Sequence, residues 1–142
     1  MLKGTKLEKR VVFSNLSRKE LVSLFKEADL LVFPSKVECS PLVIFEAAAA
    51  SLPAFVSEAG NSAEILEWLG GGWLMPTKCI KKGQVYIDTS KSADLLNQIL
   101  SDTGRLEQVG ESVRKAWQAQ FTWDRIAKNY ESLYIEMLGG EN

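Results

Sequence analysis

Histidine is absent from all 142 residues, cysteine occurs twice and proline four times. Without histidine there is no Ser-His or Cys-His nucleophile pair, and the neutral nitrogen ligand of most catalytic zinc sites is missing. Cys39 and Cys79 lie too far apart in sequence for a C-x-x-C redox pair, which leaves two reduced thiols of a cytosolic protein. Neither sign of charge dominates: 17 Lys and Arg stand against 18 Asp and Glu, a formal net charge of -1. No long-range field therefore draws a phosphate backbone or an anionic membrane, and no basic stripe marks a nucleic-acid surface. Long apolar runs are missing too. The longest, Pro41 to Val56, contains Glu46 and Pro53 and falls short of the ~20 residues that span a bilayer. The start of the chain lacks the basic, apolar and small-residue order of a signal peptide. These absences predict a cytoplasmic protein that meets a membrane only through a partner, and one that does not bind nucleic acid.

What is present is an ordinary globular composition, 46% hydrophobic and 25% charged, at a length suited to one domain with one core. Val11-Val12-Phe13-Ser14, Leu30-Leu31-Val32-Phe33 and Ala54-Phe55-Val56-Ser57 are short apolar runs bounded by polar or turn residues, the pattern of strands covered on both faces of a parallel sheet. Gly72-Trp73-Leu74-Met75, closed by Pro76, is a weaker fourth. Helical patterns separate them. Ser17 with Glu20 forms a capping box ahead of Leu21, Leu24, Phe25 and Ala28. Ser40-Pro41 predicts the start of a helix running to about Ser51, and Asn61 or Ser62 opens another that carries Ile65, Leu66 and Leu69. The array reads βαβαβαβ. Beyond Pro76, Lys78, Lys81 and Lys82 flank a loop, Val85-Tyr86-Ile87 suits a short edge strand, and helices follow over Ser92 to Leu100, Arg105 to Gln120 and onward from Thr122. The last two are expected to pack against the sheet, the alternative being a contact between domains.

The chemistry concentrates in the helix after Ser40. Leu42-Val43-Ile44-Phe45-Glu46 and the four alanines behind it are apolar nearly all round, so a carboxylate in their midst is costly unless it is paired or hydrogen-bonded. At ~100° per residue Glu46 lies ~40° from Leu42 and ~6 Å further along the axis, on the face of the free N-terminal amides. Such a helix start, at the carboxyl end of a parallel strand, is where phosphates bind. Glu38 lies in the loop just ahead. A solvated loop acid is the plain alternative for Glu38; for Glu46 it is a carboxylate paired with a buried Lys or Arg, which its own helix does not supply.

Pro34-Ser35, Glu38, seven intervening residues, Glu46-Ala47, then Pro53, Gly60 and Glu64 resemble the C-terminal signature of retaining glycosyltransferase family 4, of the two-domain GT-B architecture. Val11 to Ser14, Ala28-Asp29-Leu30, Gly70-Gly71-Gly72-Trp73-Leu74 and Phe121-Thr122-Trp123 fall in the same order and spacing, so the resemblance covers Val11 to about Tyr134. It implies a Rossmann-like, three-layer α/β/α fold with a mostly parallel sheet and a helical C-terminus. It also implies a function, hexosyl transfer from a nucleotide-diphosphate sugar to an acceptor hydroxyl with retained configuration, for which this chain supplies the donor-binding part. Glu46 then resembles the acid that accepts hydrogen bonds from the ribose hydroxyls, and Glu38 the catalytic-centre residue beside the donor sugar. Ser40, Leu42 and Val43 match the stretch that holds the diphosphate, and Gly60 the glycine pair near the donor. The donor is UDP-, GDP- or ADP-linked, and no metal or further cofactor is implied.

Three family glycines are replaced: the turn glycine after the first strand by Asn15, the one before the Pro53 strand by Ser51, and the second of the pair at Gly60 by Asn61. Asn tolerates left-handed backbone angles; Ser51 is less comfortable. In the doubly wound order 3-2-1-4-5-6 the resemblance assigns Val11 to strand 3 and Leu30, Ala54 and Trp73 to strands 4, 5 and 6. Residues 1–142 would then be a single incomplete domain lacking its first two strands and inactive alone. The Val11 strand pairs directly with the Leu30 strand, or a second chain fills the gap: the missing N-terminal half, a partner subunit or a second copy. A non-catalytic nucleotide-binding or dimerisation module of the same fold is the alternative, and a sugar-nucleotide epimerase of the same architecture a third.

Overall fold

The computed structural model describes residues 10–139; residues 1–9 and 140–142 of the expected domain lie outside the described residues. The Ser17 capping box forms as expected and opens α1 (Arg18–Glu27): Ser17 Oγ accepts from the Glu20 amide, and the Glu20 carboxylate accepts from Ser17. The side-chain and then the backbone hydrogen bond from Ser17 hold the Glu20 carboxyl below its ordinary value of 4.5. The chain then alternates β1 (Leu31–Phe33), α2 (Leu42–Ala49), β2 (Ala54–Val56), α3 (Ser62–Leu69) and β3 (Trp73–Leu74). These strands form one parallel sheet in the order β1-β2-β3.

Continuous apolar runs suit β2 because both of its faces are covered. Ala54 and Val56 pack with Ile44 and Ala48 of α2, Ile65 and Leu69 of α3 and Val113, whereas Phe55 meets Met75, Ile99 and Leu106 on the other side. Val113 and Leu106 both belong to α5 (Thr103–Gln120), and Ile99 to α4 (Thr89–Ser101). The result is the expected three-layer α/β/α arrangement with a mostly parallel sheet. A last helix, α6 (Trp123–Met137), begins at Thr122, whose hydroxyl accepts from the Arg125 amide.

Helix α5 anchors the far end of α2. Arg114 donates to the Ala49 carbonyl, placing a cation at the negative end of the α2 dipole, and Gly110 lets α5 lie directly against the Ser51 carbonyl. Ser51 carries a left-handed φ of 62°. Of the three replaced glycines it alone has this angle, since neither Asn15 nor Asn61 has positive φ.

Several expectations are corrected. Val11 to Ser14 forms no strand: residues 10–17 are irregular, and Val11, Val12 and Phe13 are 79%, 64% and 95% exposed. A short strand is held by its ladder, and this segment neither pairs with β1 nor meets another strand among the described residues. Among the described residues the outer edge of β1 therefore has no partner strand, and Val32 is about half exposed. The segment after Pro76 is a hairpin rather than a loop and a lone strand: β4 (Thr77–Lys81) pairs antiparallel with β5 (Gln84–Ile87) across the Lys82-Gly83 turn. Helix α2 stops at Ala49, and its N-cap position is Pro41 with no side-chain hydrogen bond, so Ser40 does not cap it. Only α5 of the last two helices packs on the sheet layer; α6 buries none of its residues.

Candidate functional site

The carboxyl ends of β1 and β2 and the start of α2 converge, and two loops meet there. Ser57, fully buried, donates its amide to Phe33 O at 3.1 Å and its hydroxyl to Ser35 O at 2.5 Å, which ties the β2–α3 loop to the β1–α2 loop. Gly60 brings the two backbones closer still. Its φ is 59°, and a Cβ there would lie 2.5 Å from Cys39 O and 2.8 Å from the Glu38 carbonyl carbon. Only glycine permits that approach. The Asn61 amide then donates to Cys39 O at 3.1 Å.

These contacts fix Glu38. Its carboxylate is half-buried and accepts from Ser35 Oγ at 2.7 Å, so it is a held group and not a solvated loop acid. Beside it α2 begins with no side-chain cap, leaving the leading amides, those of Leu42 and Val43 among them, without a side-chain acceptor. Ser40 is exposed and Leu42 largely so, whereas Val43 is half-buried against the core. One group nearby is unsatisfied: Asn61 Oδ1 is buried with no hydrogen-bond partner, its Nδ2 reaching only Glu64 Oε2 at 3.4 Å.

Glu46 is less buried than its apolar neighbours suggest, its side chain being 36% exposed, and it has a partner from outside its helix. Arg18, the first residue of α1, donates from Nη1 to Glu46 Oε1 at 2.7 Å. The buried cation of the plain alternative is thus replaced by an arginine that is itself 68% exposed. Glu46 and Leu42 line a cavity of about 520 Å³ between α1, α2 and the junction of α5 and α6, walled by Phe25, Phe45, Trp117 and Phe121.

The predicted residues thus fall into two groups. Glu38 and Gly60 meet in the clamped loops, and Glu46 and Leu42 share the cavity. Ser40 and Val43 line neither the cavity nor the hydrogen-bonded cluster. Ser35, Ser57 and Arg18 escaped the residue-by-residue reading. Ser35 stood in the quoted motif and Ser57 closed a predicted strand, but nothing local tied Arg18 to a residue 28 positions away. Among the described residues no group of three or more His, Cys, Asp or Glu could hold a metal, and no helix is long and apolar enough to cross a membrane.

Comparison with known proteins gives this geometry a lineage. The fold superposes on sucrose-phosphate synthase of Thermosynechococcus elongatus with a TM-score of 0.70 at 24% identity, over 91% of this chain and 30% of that one. An uncharacterized glycosyltransferase of Methanocaldococcus jannaschii is 32% identical over 84% of this chain and 29% of its own length. N-acetyl-alpha-D-glucosaminyl L-malate synthase of Bacillus anthracis is 27% identical over 97% of this chain and 34% of its own. The chain thus spans about a third of the length of the curated relatives it matches. Residues 2–116, which include both clamped loops, the uncapped helix start and Glu46, match the family described as glycosyl transferases group 1, and the chain belongs to that family.

Proposed function

We propose that this chain forms the C-terminal, donor-binding part of a retaining family 4 glycosyltransferase, acting on a UDP-, GDP- or ADP-linked sugar. The observation that carries this reading is the clamped Glu38 loop beside the uncapped start of α2, at the carboxyl edge of a parallel sheet. That edge is where open α/β sheets bind ligands, and unpaired helix amides suit a diphosphate.

In this reading the amides of Leu42 and Val43, with the Ser40 hydroxyl, receive the diphosphate. Glu46 accepts from the ribose hydroxyls, and Glu38, aligned by Ser35, faces the sugar near its reacting carbon. Gly60 keeps the loops close enough for this. As the bond from the sugar to the diphosphate breaks, its electron pair passes to the leaving phosphate, where preorganised amides stabilise the charge, while the acceptor hydroxyl oxygen bonds the same carbon and its proton passes to the leaving phosphate. Neither a metal nor a further cofactor takes part. The acceptor site belongs to a segment or subunit outside this chain, or to a second copy of it, so the chain alone binds donor without turning it over. Its place is the cytoplasm.

A non-catalytic nucleotide-binding module is favoured over this reading by one observation only, the Arg18 pairing that gives Glu46 a structural partner. Calorimetric titration of the native chain, Glu46→Ala and Glu38→Ala with UDP, GDP and ADP tests the proposal. One of the three should bind the native chain, and Glu46→Ala should weaken it by about tenfold or more, the size of a lost hydrogen bond to a charged group. No binding by any of them overturns the donor site. Restored transfer on adding the missing partner, abolished by Glu38→Ala, separates the enzyme from the binding module.

A further inference from the structure

The pairing of Arg18 with Glu46 is not explained by the needs of either helix. Arg18 occupies the first position of α1, where the dipole disfavours a cation, and the only acid in that first turn, Glu20, is engaged by Ser17. Glu46 sits on an apolar helix that stacks Ile44, Ala47 and Ala48 into the core. An exposed ion pair contributes little to stability, so packing alone gives no reason for it. The contact is also one-sided: Arg18 Nη1 meets Oε1 at 2.7 Å, and no hydrogen bond among the described residues reaches Oε2. Ser17 fixes the start of α1 through a reciprocal cap, so the backbone that carries Arg18 is held within reach of Glu46.

We propose that Arg18 is a positioning residue for Glu46. It holds the carboxylate at the mouth of the α1–α2 cavity with Oε1 occupied and Oε2 presented to a vicinal diol of the bound nucleotide. This rests on the donor-site reading of Glu46 and deepens it. A carboxylate left to rotate would meet the diol in many orientations, whereas one whose Oε1 is held by a charged donor meets it in fewer. The consequence is selectivity for ribose over 2′-deoxyribose that depends on a residue which does not itself touch the ribose.

The test compares UDP, GDP and ADP with their 2′-deoxy counterparts by calorimetry on the full chain, native and with Arg18→Gln or Arg18→Lys. Both substitutions replace a largely exposed side chain at a capped helix start and leave the core untouched. The native chain should prefer one ribonucleotide over its 2′-deoxy form by about tenfold, the size of one hydrogen bond to a charged group. Arg18→Gln should reduce that preference to less than about threefold while the 2′-deoxy form keeps its affinity, and Arg18→Lys should restore part of it. A structural role alone would weaken both forms equally, and that result overturns the proposal. An unchanged preference in Arg18→Gln overturns it while leaving Glu46 as the ribose ligand. A native chain that binds nucleotides without any ribose preference overturns both.

Discussion

Strand β2 and the apolar stripe of helix α6 end in opposite situations. Every residue of β2 is buried, with Phe55 and Val56 nearly inaccessible, and layers of helix cover both its faces. Helix α6 carries Ile126, Tyr130, Leu133, Tyr134 and Met137 along one stripe and buries none of them, with Trp123 85% exposed at its start. Hydrophobic pattern therefore states what a segment could bury; neighbours decide whether it does. Around β2 those neighbours come from within the chain, and the clamped loops grow from the same well-packed strand ends. Along α6 beyond Ile126, and at the open edge of β1, none of the described residues supplies them.

One way to break the β2 side is at the contact of α5 with the chain entering that strand. Gly110→Ala sets a Cβ against the Ser51 carbonyl, and because Gly110 is buried and the atom it would meet is backbone, the contact cannot yield cheaply. The expected loss is about 1–3 kcal/mol, the usual cost of overpacking a close interior contact. Denaturant unfolding should show it as a lower midpoint at unchanged slope. A midpoint equal to that of the native chain would mean that α5 and the Ser51 carbonyl do not lie so close. Ser51→Gly works in the opposite direction at the same joint. It removes the side chain from a left-handed position, where non-glycine residues cost roughly 1–2 kcal/mol, and gives back part of that gain in unfolded-chain entropy. A net stabilisation of about 0.5–1 kcal/mol is expected, measured as a rise in the thermal midpoint.

That joint also shows what the sequence made legible. Ser51 at a family glycine position signalled strain before any coordinates, because backbone angle is a local property of the residue. The capping box at Ser17, the βα alternation and the place of Glu38 just ahead of the α2 start were legible for the same reason, whereas the missing cap at that start was not. What escaped depends on partners distant in the chain. Val11 to Phe13 carries the pattern of a strand, yet pattern cannot supply the adjacent ladder that makes one. The cation for Glu46 was sought within its own helix, and it came from α1. The β4–β5 hairpin was half seen because Cys79 and Ile80 are exposed and show no alternation, and a register shift interrupts the ladder between Thr77 and Cys79.

The smallest expected effect sharpens the other side of the comparison. Tyr134→Ser removes a ring from the middle of the α6 stripe. That ring is 59% exposed and lies 6.3 Å from the Tyr130 ring, with no core residue beneath it. If α6 is as uncovered in solution as its burial shows, the chain's unfolding free energy should move by no more than about 0.5 kcal/mol, the range of ordinary surface substitutions. Phe55→Ala, the matched change in β2, should by contrast cost about 3–5 kcal/mol because its cavity opens between two closed layers. The ratio of the two losses measures how far burial, and not side-chain chemistry, sets the energy of an aromatic ring here. A loss for Tyr134→Ser approaching that of Phe55→Ala would mean that the stripe is covered in solution by another surface, and α6 would then belong with β2 among the segments that hold the fold together.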